Sequence, residues 1–229
     1  MKNYVVSQIY VVAILFVFLS SCTPKAFVVD DFSRATLDHV TVAVLPFRVN
    51  FEGNLPKEIT REQLQMLLVR EAELFQTDLH AQLLTRRMTD RGQPIAIDLQ
   101  PLAVTRGTLE ENDLMTAEVW TKNPADLARL LGVDAVITGE VTHYRLMSDL
   151  VSAGIELGRS VLFALGYGGG IPAGLSNNKE VYASYAIIDA DSERLLWSYR
   201  NNHEADWSRR ADEIVHRINR QAARQFPYR

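Results

Sequence analysis

Few side chains of this sequence have the type and spacing that acid–base or metal chemistry requires. Its histidines are His39, His80, His143, His203 and His216. No two of them have the four-residue spacing of a metal-binding helix pair, so we expect surface or strand residues. Asp134 and Glu140 share one face of a β-rich run, where two carboxylates could do acid–base work. Solvated carboxylates at the strand ends are the simpler interpretation. We expect neither a catalytic site nor a bound metal.

A glycine-rich stretch offers a second kind of chemistry, a dinucleotide-binding loop. Gly168, Gly170 and Ala173 have the required spacing, and Asp189 lies nineteen residues after Gly170. Such a loop should open a helix whose amino end binds phosphate, but Pro172 and a polar stretch follow without helical periodicity. We therefore expect no nucleotide and no other cofactor.

The clearest signal lies at the start of the chain. Lys2 precedes an apolar run of eleven residues, Ile9–Leu19, and a membrane-spanning helix needs roughly 20. A basic start, a short apolar run and small residues before a cut site are typical of a secretory signal. The sequence Leu19-Ser20-Ser21-Cys22 also resembles the lipobox of bacterial lipoproteins. This resemblance implies cleavage between Ser21 and Cys22, a diacylglycerol on the Cys22 thiol, and acylation of the new amine.

Cys22 is the single cysteine of the chain, which excludes an internal disulfide. An ordinary secretory peptide with a chance cysteine is the alternative to the lipobox. Two or more acyl chains give stable membrane attachment. Thr23 stands where an acidic residue would resemble the inner-membrane retention signal. The resemblance therefore favours a lipid anchor in the outer membrane, with the domain facing the periplasm.

Length and charge limit the kind of domain that lies after the signal. Removing residues 1–21 from the 229 leaves 208, enough for one domain with a hydrophobic core. The net charge is −4, and −5 without Lys2, which argues against nucleic acid as a partner. Residues 22–39 contain Pro24 and no sustained period, so we expect a tether there and a single domain over 40–229.

The later patterns alternate between strand and helix. Strands are predicted at 40–47, 94–99 and 133–144, and helices at 60–91, 123–131 and from near Asp206. Two β-rich runs, 181–188 and 194–199, flank a polar turn and predict a hairpin. The helix at 60–91 is either continuous or broken near Gln76, and residues 100–122 have no clear pattern. We predict an α/β fold with a mixed β-sheet covered by helices and a C-terminal β-hairpin and helix.

Three segments resemble envelope lipoproteins related to the curli secretion lipoprotein CsgG. The superfamily of CsgG also includes the TolB amino-terminal domain, LpoB and a group of small lipoproteins. The three segments are Val42–Phe47, Leu130–Val141, and Tyr185–Asp189 with Leu195–Trp197; in the turn, Ser192-Glu193 replace the family's Thr-Gly. The resemblance implies an α/β domain that binds other envelope proteins without catalysis, as a binding or assembly factor. An oligomeric secretion-channel component is the alternative, and a hydrolase with unrecognised residues is a third hypothesis.

A glycine-rich insert at 150–178 is a candidate surface for oligomer or membrane contact. Gly154 and Gly158 permit close helix approach, and Leu162 and Leu165 extend an apolar stripe. A core helix followed by a glycine loop is the simpler interpretation.

An arginine stripe on the last helix is a second candidate contact, for lipid phosphates or an acidic partner. Its members are Arg210, Arg217, Arg220 and Arg224. The simpler interpretation is a solvated helix face, offset by Asp212 and Glu213.

Overall fold

The computed structural model describes residues 26–52, 60–88, 95–144, 179–205 and 211–228. Its strands are β1 (Phe27–Val28), β2 (Thr41–Val44), β3 (Arg48–Glu52), β4 (Asp98–Leu99), β5 (Ala135–Tyr144), β6 (Lys179–Asp189) and β7 (Leu195–Ala205). Its helices are α1 (Phe32–Ala35), α2 (Arg61–Met88), α3 (Leu102–Glu111), α4 (Thr116–Val119), α5 (Pro124–Leu131) and α6 (Ala211–Arg224). The strands form one mixed sheet in the order β1-β7-β6-β5-β2-β4, which confirms the predicted α/β class.

The central strand β5 pairs with two consecutive strands, β2 within the predicted run 40–47 and β3 directly after it. Val44 of β2 lies opposite Ile137, and Arg48 of β3 lies opposite Glu140, both in parallel pairing. Pro46 separates β2 from β3 and has no N–H for a ladder hydrogen bond. The chain therefore continues along the same partner after the proline, instead of leaving the sheet there as expected.

The predicted hairpin is confirmed as β6 and β7, which pair antiparallel and extend beyond the expected runs. In its turn, Glu193 has φ 57°, the left-handed region that glycine adopts at no steric cost. Its carboxylate pairs with Arg129 at 2.6 Å. A charged contact thus accompanies a non-glycine residue in the left-handed region.

Local capping chemistry fixes the start of α2. The Thr60 amide donates to Gln63 Oε1 at 2.9 Å, and the Gln63 amide donates to Thr60 Oγ1 at 3.2 Å. The helix continues without a break through Gln76, whose buried side chain donates to the Val44 carbonyl at 2.7 Å. The polar side chain is satisfied inside the fold, so α2 needs no interruption there.

The helix α5 has the ends that its sequence predicts. Asn123 Oδ1 accepts from the Ala125 amide at 3.1 Å, and Gly132 ends the helix with φ 65°. The unpatterned residues 100–122 form α3 and α4. Across the described ranges, no helix combines the length and hydropathy that crossing a bilayer requires.

Residues 26–39 differ from the tether expected over 22–39. Phe27 and Val28 pair with Ser198 and Trp197 of β7, and Phe32 is buried in the main core. We call Ala26–Val40 the N-terminal strap. The contacts that hold the strap in place are with residues more than 150 positions away. A periodic pattern within the segment itself cannot predict such contacts.

Two hydrophobic cores lie on opposite faces of the sheet. The larger packs α2 and α6 against one face, and its largest fully buried side chains include Phe47, Phe75, Tyr185 and Trp197. The smaller packs α3, α4 and α5 over β2 and the start of β5. On that second face Glu140, Tyr182 and Arg200 lie exposed farther along the strands.

The ring of Phe47 lies directly on the backbone of Gly139 in the middle of β5. A Cβ atom at position 139 would overlap this ring. The ring has no free direction to move, because it is buried and packs on Phe75 and Tyr185, each 5.4 Å away between centroids. Glycine is therefore required at this point of the central strand.

We predict that Gly139→Ala lowers the free energy of unfolding by about 1–3 kcal/mol, the usual cost of forcing extra volume into a packed core. Gly107→Ala is the matched control, because a Cβ there meets nothing within 4 Å and lies inside α3. It should raise the free energy of unfolding by roughly 0.5–1 kcal/mol. Urea denaturation measures both, and equal effects of the two substitutions would contradict the assignment.

Candidate functional site

The strap ends in a buried polar network at the turn between β6 and β7. His39 Nε2 lies 2.9 Å from Asp189 Oδ1, and His39 Nδ1 lies 2.8 Å from the Tyr228 hydroxyl. The second oxygen of Asp189 accepts from the Ser192 amide at 2.7 Å and from its hydroxyl at 2.6 Å. We call His39, Asp189, Ser192 and Tyr228 the hairpin-end network. It joins the strap, the hairpin turn and the chain after α6.

Electrostatics fix the protonation of two members of the network. Burial opposes ionisation of Asp189, but hydrogen bonds from Ser192 and the contact with His39 outweigh it and hold the pKa of Asp189 below its usual range. Burial, with the nearby carboxylates of Asp189 and Asp134, raises the pKa of Tyr228. An ionised Asp189 accepts from His39 Nε2–H, and the protonated Tyr228 hydroxyl can donate to Nδ1 of a neutral ring.

The hairpin-end network resembles catalytic sets in residue types but not in geometry. The Ser192 hydroxyl donates to Asp189, whereas an activated nucleophile needs its hydrogen bond to the base. Both nitrogens of His39 are already occupied. The arrangement can fasten three segments together, and it offers no free base. The sequence predicts the polar turn that carries Asp189 and Ser192, and not the contacts of the network.

The carboxylates predicted to share a strand face have separate structural partners. Asp134 Oδ2 accepts from the amides of Val40 and Thr41, at 2.7 and 2.8 Å. Glu140 Oε1 accepts from Asn50 Nδ2 at 2.6 Å. Asp134 precedes β5 and ties the strap to the start of β2. Both carboxylates are thus hydrogen-bonded to protein groups of neighbouring strands, and neither is only solvated as the simpler interpretation expects.

The other histidines with described side chains also have structural partners. His80 Nε2 lies 3.1 Å from the Gln100 carbonyl, and burial lowers the pKa of His80. Burial opposes the charge of His143, but Glu71 at 2.8 Å outweighs it and raises the pKa of His143. His216 pairs with Asp78 at 3.0 Å. Within the described ranges no three potential ligands are grouped to hold a metal ion.

The predicted contact residues are only partly within the described residues. Outside them lie Ser21, Cys22, Gly154, Gly158, Leu162, Leu165 and Arg210, with the whole insert 150–178. Arg224 is exposed at the end of α6. Arg217 is half-buried and lines, with Arg220, a groove of about 420 Å³. Its remaining lining residues are Leu74, Asp78, Asp212, Glu213 and His216. Acidic side chains thus offset the arginines in this groove.

Comparison with known proteins gives similarity at the level of structure. No family model and no curated protein matches the sequence. The lipoprotein GNA1162 from Neisseria meningitidis aligns with a TM-score of 0.41 and 16% identity, over 81% of this chain and 96% of that one. The PelC dodecamer from Paraburkholderia phytofirmans aligns with a TM-score of 0.40 and 12% identity, over 87% and 92%. The LpoB C-terminal domain from Salmonella enterica aligns with a TM-score of 0.34 and 9% identity, over 73% and 84%. We take no role from these similarities.

We predict that Asp189→Asn lowers the free energy of unfolding by about 2 kcal/mol at pH 7, because it weakens buried hydrogen bonds to a charged acceptor. The ionised form stabilises the fold above the ordinary carboxyl pKa of about 3.9, and this contribution disappears as the pH falls through the lower folded pKa. The difference between wild type and variant should therefore shrink below about pH 4.

Urea unfolding at a series of pH values measures this effect. Asp191→Asn is the control, because Asp191 is exposed in the same turn. A difference between wild type and Asp189→Asn that stays constant from neutral to strongly acidic pH would show that the carboxylate charge is irrelevant there.

Proposed function

We propose that this protein is a lipid-anchored lipoprotein of the bacterial cell envelope whose domain acts as a non-enzymatic binding or assembly factor. The observation that carries the proposal is the Leu19-Ser20-Ser21-Cys22 sequence behind a short apolar run. Thr23 supports the outer membrane as the place of the anchor, because it is not the acidic residue of the retention signal.

The distance along the chain between the anchor and the fold supports this function. Phe27 of β1 is five positions after Cys22, and five extended residues reach at most about 18 Å. An acylated Cys22 therefore keeps the domain next to the bilayer. A binding factor held this way meets only partners that come close to the same membrane.

The chemistry of the described residues supports binding over catalysis. The hairpin-end network has its hydrogen-bonding groups engaged with one another, and Asp134 and Glu140 hold backbone and side-chain groups of neighbouring strands. An enzyme needs a group whose proton-transfer position is open to substrate. A binding factor requires no such group.

We predict that Cys22→Ser abolishes acylation and shifts the protein from the membrane fraction to the soluble or unprocessed fraction, because only a thiol receives the diacylglycerol. Ser21→Ala is the matched control, since it keeps a small residue before the cut site and should stay acylated. Intact mass of the purified protein and density separation of inner and outer membranes report the two effects. A wild-type chain with a free thiol, distributed like Cys22→Ser, would refute the proposal.

We predict that the detergent-extracted protein has the native mass of single chains or small complexes with envelope partners. A binding factor acts by contact with other proteins, whereas a channel component closes into a ring. Native mass spectrometry and electron microscopy of the full, acylated chain separate the two. A closed ring of identical chains would favour the secretion-channel alternative over the binding factor.

A further inference from the structure

We propose that the β1 edge of the sheet rests on the lipid headgroups of the anchoring membrane, with Phe27 as the main contact. This inference rests on the proposed lipid anchor and adds an orientation to it. Among the described strands, β1 ends the strand order and pairs only with β7. Its side chains Phe27 and Val28 are apolar, yet 50% and 40% exposed.

The register of β1 shows why Phe27 is the better placed of the two. Val28 lies opposite Trp197, which is buried in the larger core, whereas Phe27 lies opposite Ser198 on the other face. The Phe27 ring is therefore half-exposed on the strand face that carries a small polar residue at the paired position. Burial at a membrane interface is favourable for such a ring.

The reach of the chain limits what can cover this edge. The acyl chains hold Cys22 at the membrane surface, and Phe27 follows within about 18 Å of chain. The headgroup layer of one leaflet accounts for roughly 5–8 Å of that length. A chain that runs obliquely to the membrane surface, or that is not fully extended, brings the ring to the headgroups.

Backbone and charge set the depth of the contact. The free N–H and C=O groups of an edge strand cannot enter hydrocarbon without partners, so β1 stays among hydrated headgroups. Among the charged side chains near β1, Asp30 and Asp31 are matched in number by Arg34 and Arg194. Asp31 pairs with both arginines, at 3.5 and 3.1 Å. Lipid phosphates therefore meet no net repulsion from this group.

A lipid surface explains the edge better than a second protein chain. A stable protein interface needs about 800 Å² from each partner, and a two-residue strand supplies two partly exposed side chains. A lipid surface needs no such complementary area, because the covalent anchor already confines the edge to the membrane.

The acylated chain offers a clean test, because its single native thiol is consumed by lipid. Phe27→Cys then carries the only free thiol, which can be labelled with an environment-sensitive fluorophore. The full-length protein, expressed with its leader, is reconstituted in phosphatidylethanolamine–phosphatidylglycerol vesicles that contain nitroxide lipid. Met66→Cys and Met115→Cys are the matched controls, 64% and 62% exposed on α2 and beside α4.

We expect the Phe27 label to be blue-shifted and quenched at least threefold more than either control. Val28→Cys provides a second label on β1 and should also exceed both controls. Equal quenching at all four positions, in protein that is acylated and floats with the vesicles, overturns the inference and leaves the anchor intact. Protein that carries no acyl chain and does not float refutes the proposed function instead.

Discussion

The contact between the Phe47 ring and the Gly139 backbone is the constraint on which the rest of this fold depends. It allows β2 and β3 to share one partner strand across the Pro46 interruption, because the aromatic side chain can turn inward where β5 has no side chain. The Phe47 ring also packs against the ring of Tyr185. The buried hydroxyl of Tyr185 donates to Asn219 of α6 at 2.8 Å. Gly139 thus leaves the space for a series of contacts, through Phe47 and Tyr185, that connects the sheet to α6.

The strap needs nonlocal contacts to stay ordered. Fixing the backbone costs about 1–2 kcal/mol per residue, and a segment that leaves several of its apolar side chains exposed gains little by itself. Phe32 supplies apolar burial, and Asp134 holds the amides of Val40 and Thr41 where the strap enters β2. The hairpin-end network satisfies the polar groups of His39 that this path buries. The strap is therefore a part of the domain.

The sequence could predict those structural features that depend on residues close to one another in the chain. Thr60 with Gln63, and Asn123 with Gly132, mark helix ends because capping joins residues a few positions apart. The pairing of β1 with β7 and the contact of His39 with Asp189 join residues about 150 or more positions apart. Spacing carries no signal for such contacts, so the strap resembled a tether. The candidate site was missed for the same reason.

If Cys22 is acylated as proposed, the short chain between it and the strap restricts the orientation of the domain as well as its location. A flexible linker of many residues would let a domain present any face to its surroundings. Here β1 lies five positions from Cys22 and is the last strand at one side of the sheet. In the proposed orientation, with that edge against the bilayer, the strands from β7 to β5 lie progressively farther from it. The exposed side chains Glu140, Tyr182 and Arg200 then face sideways, where a membrane-bound partner can reach them.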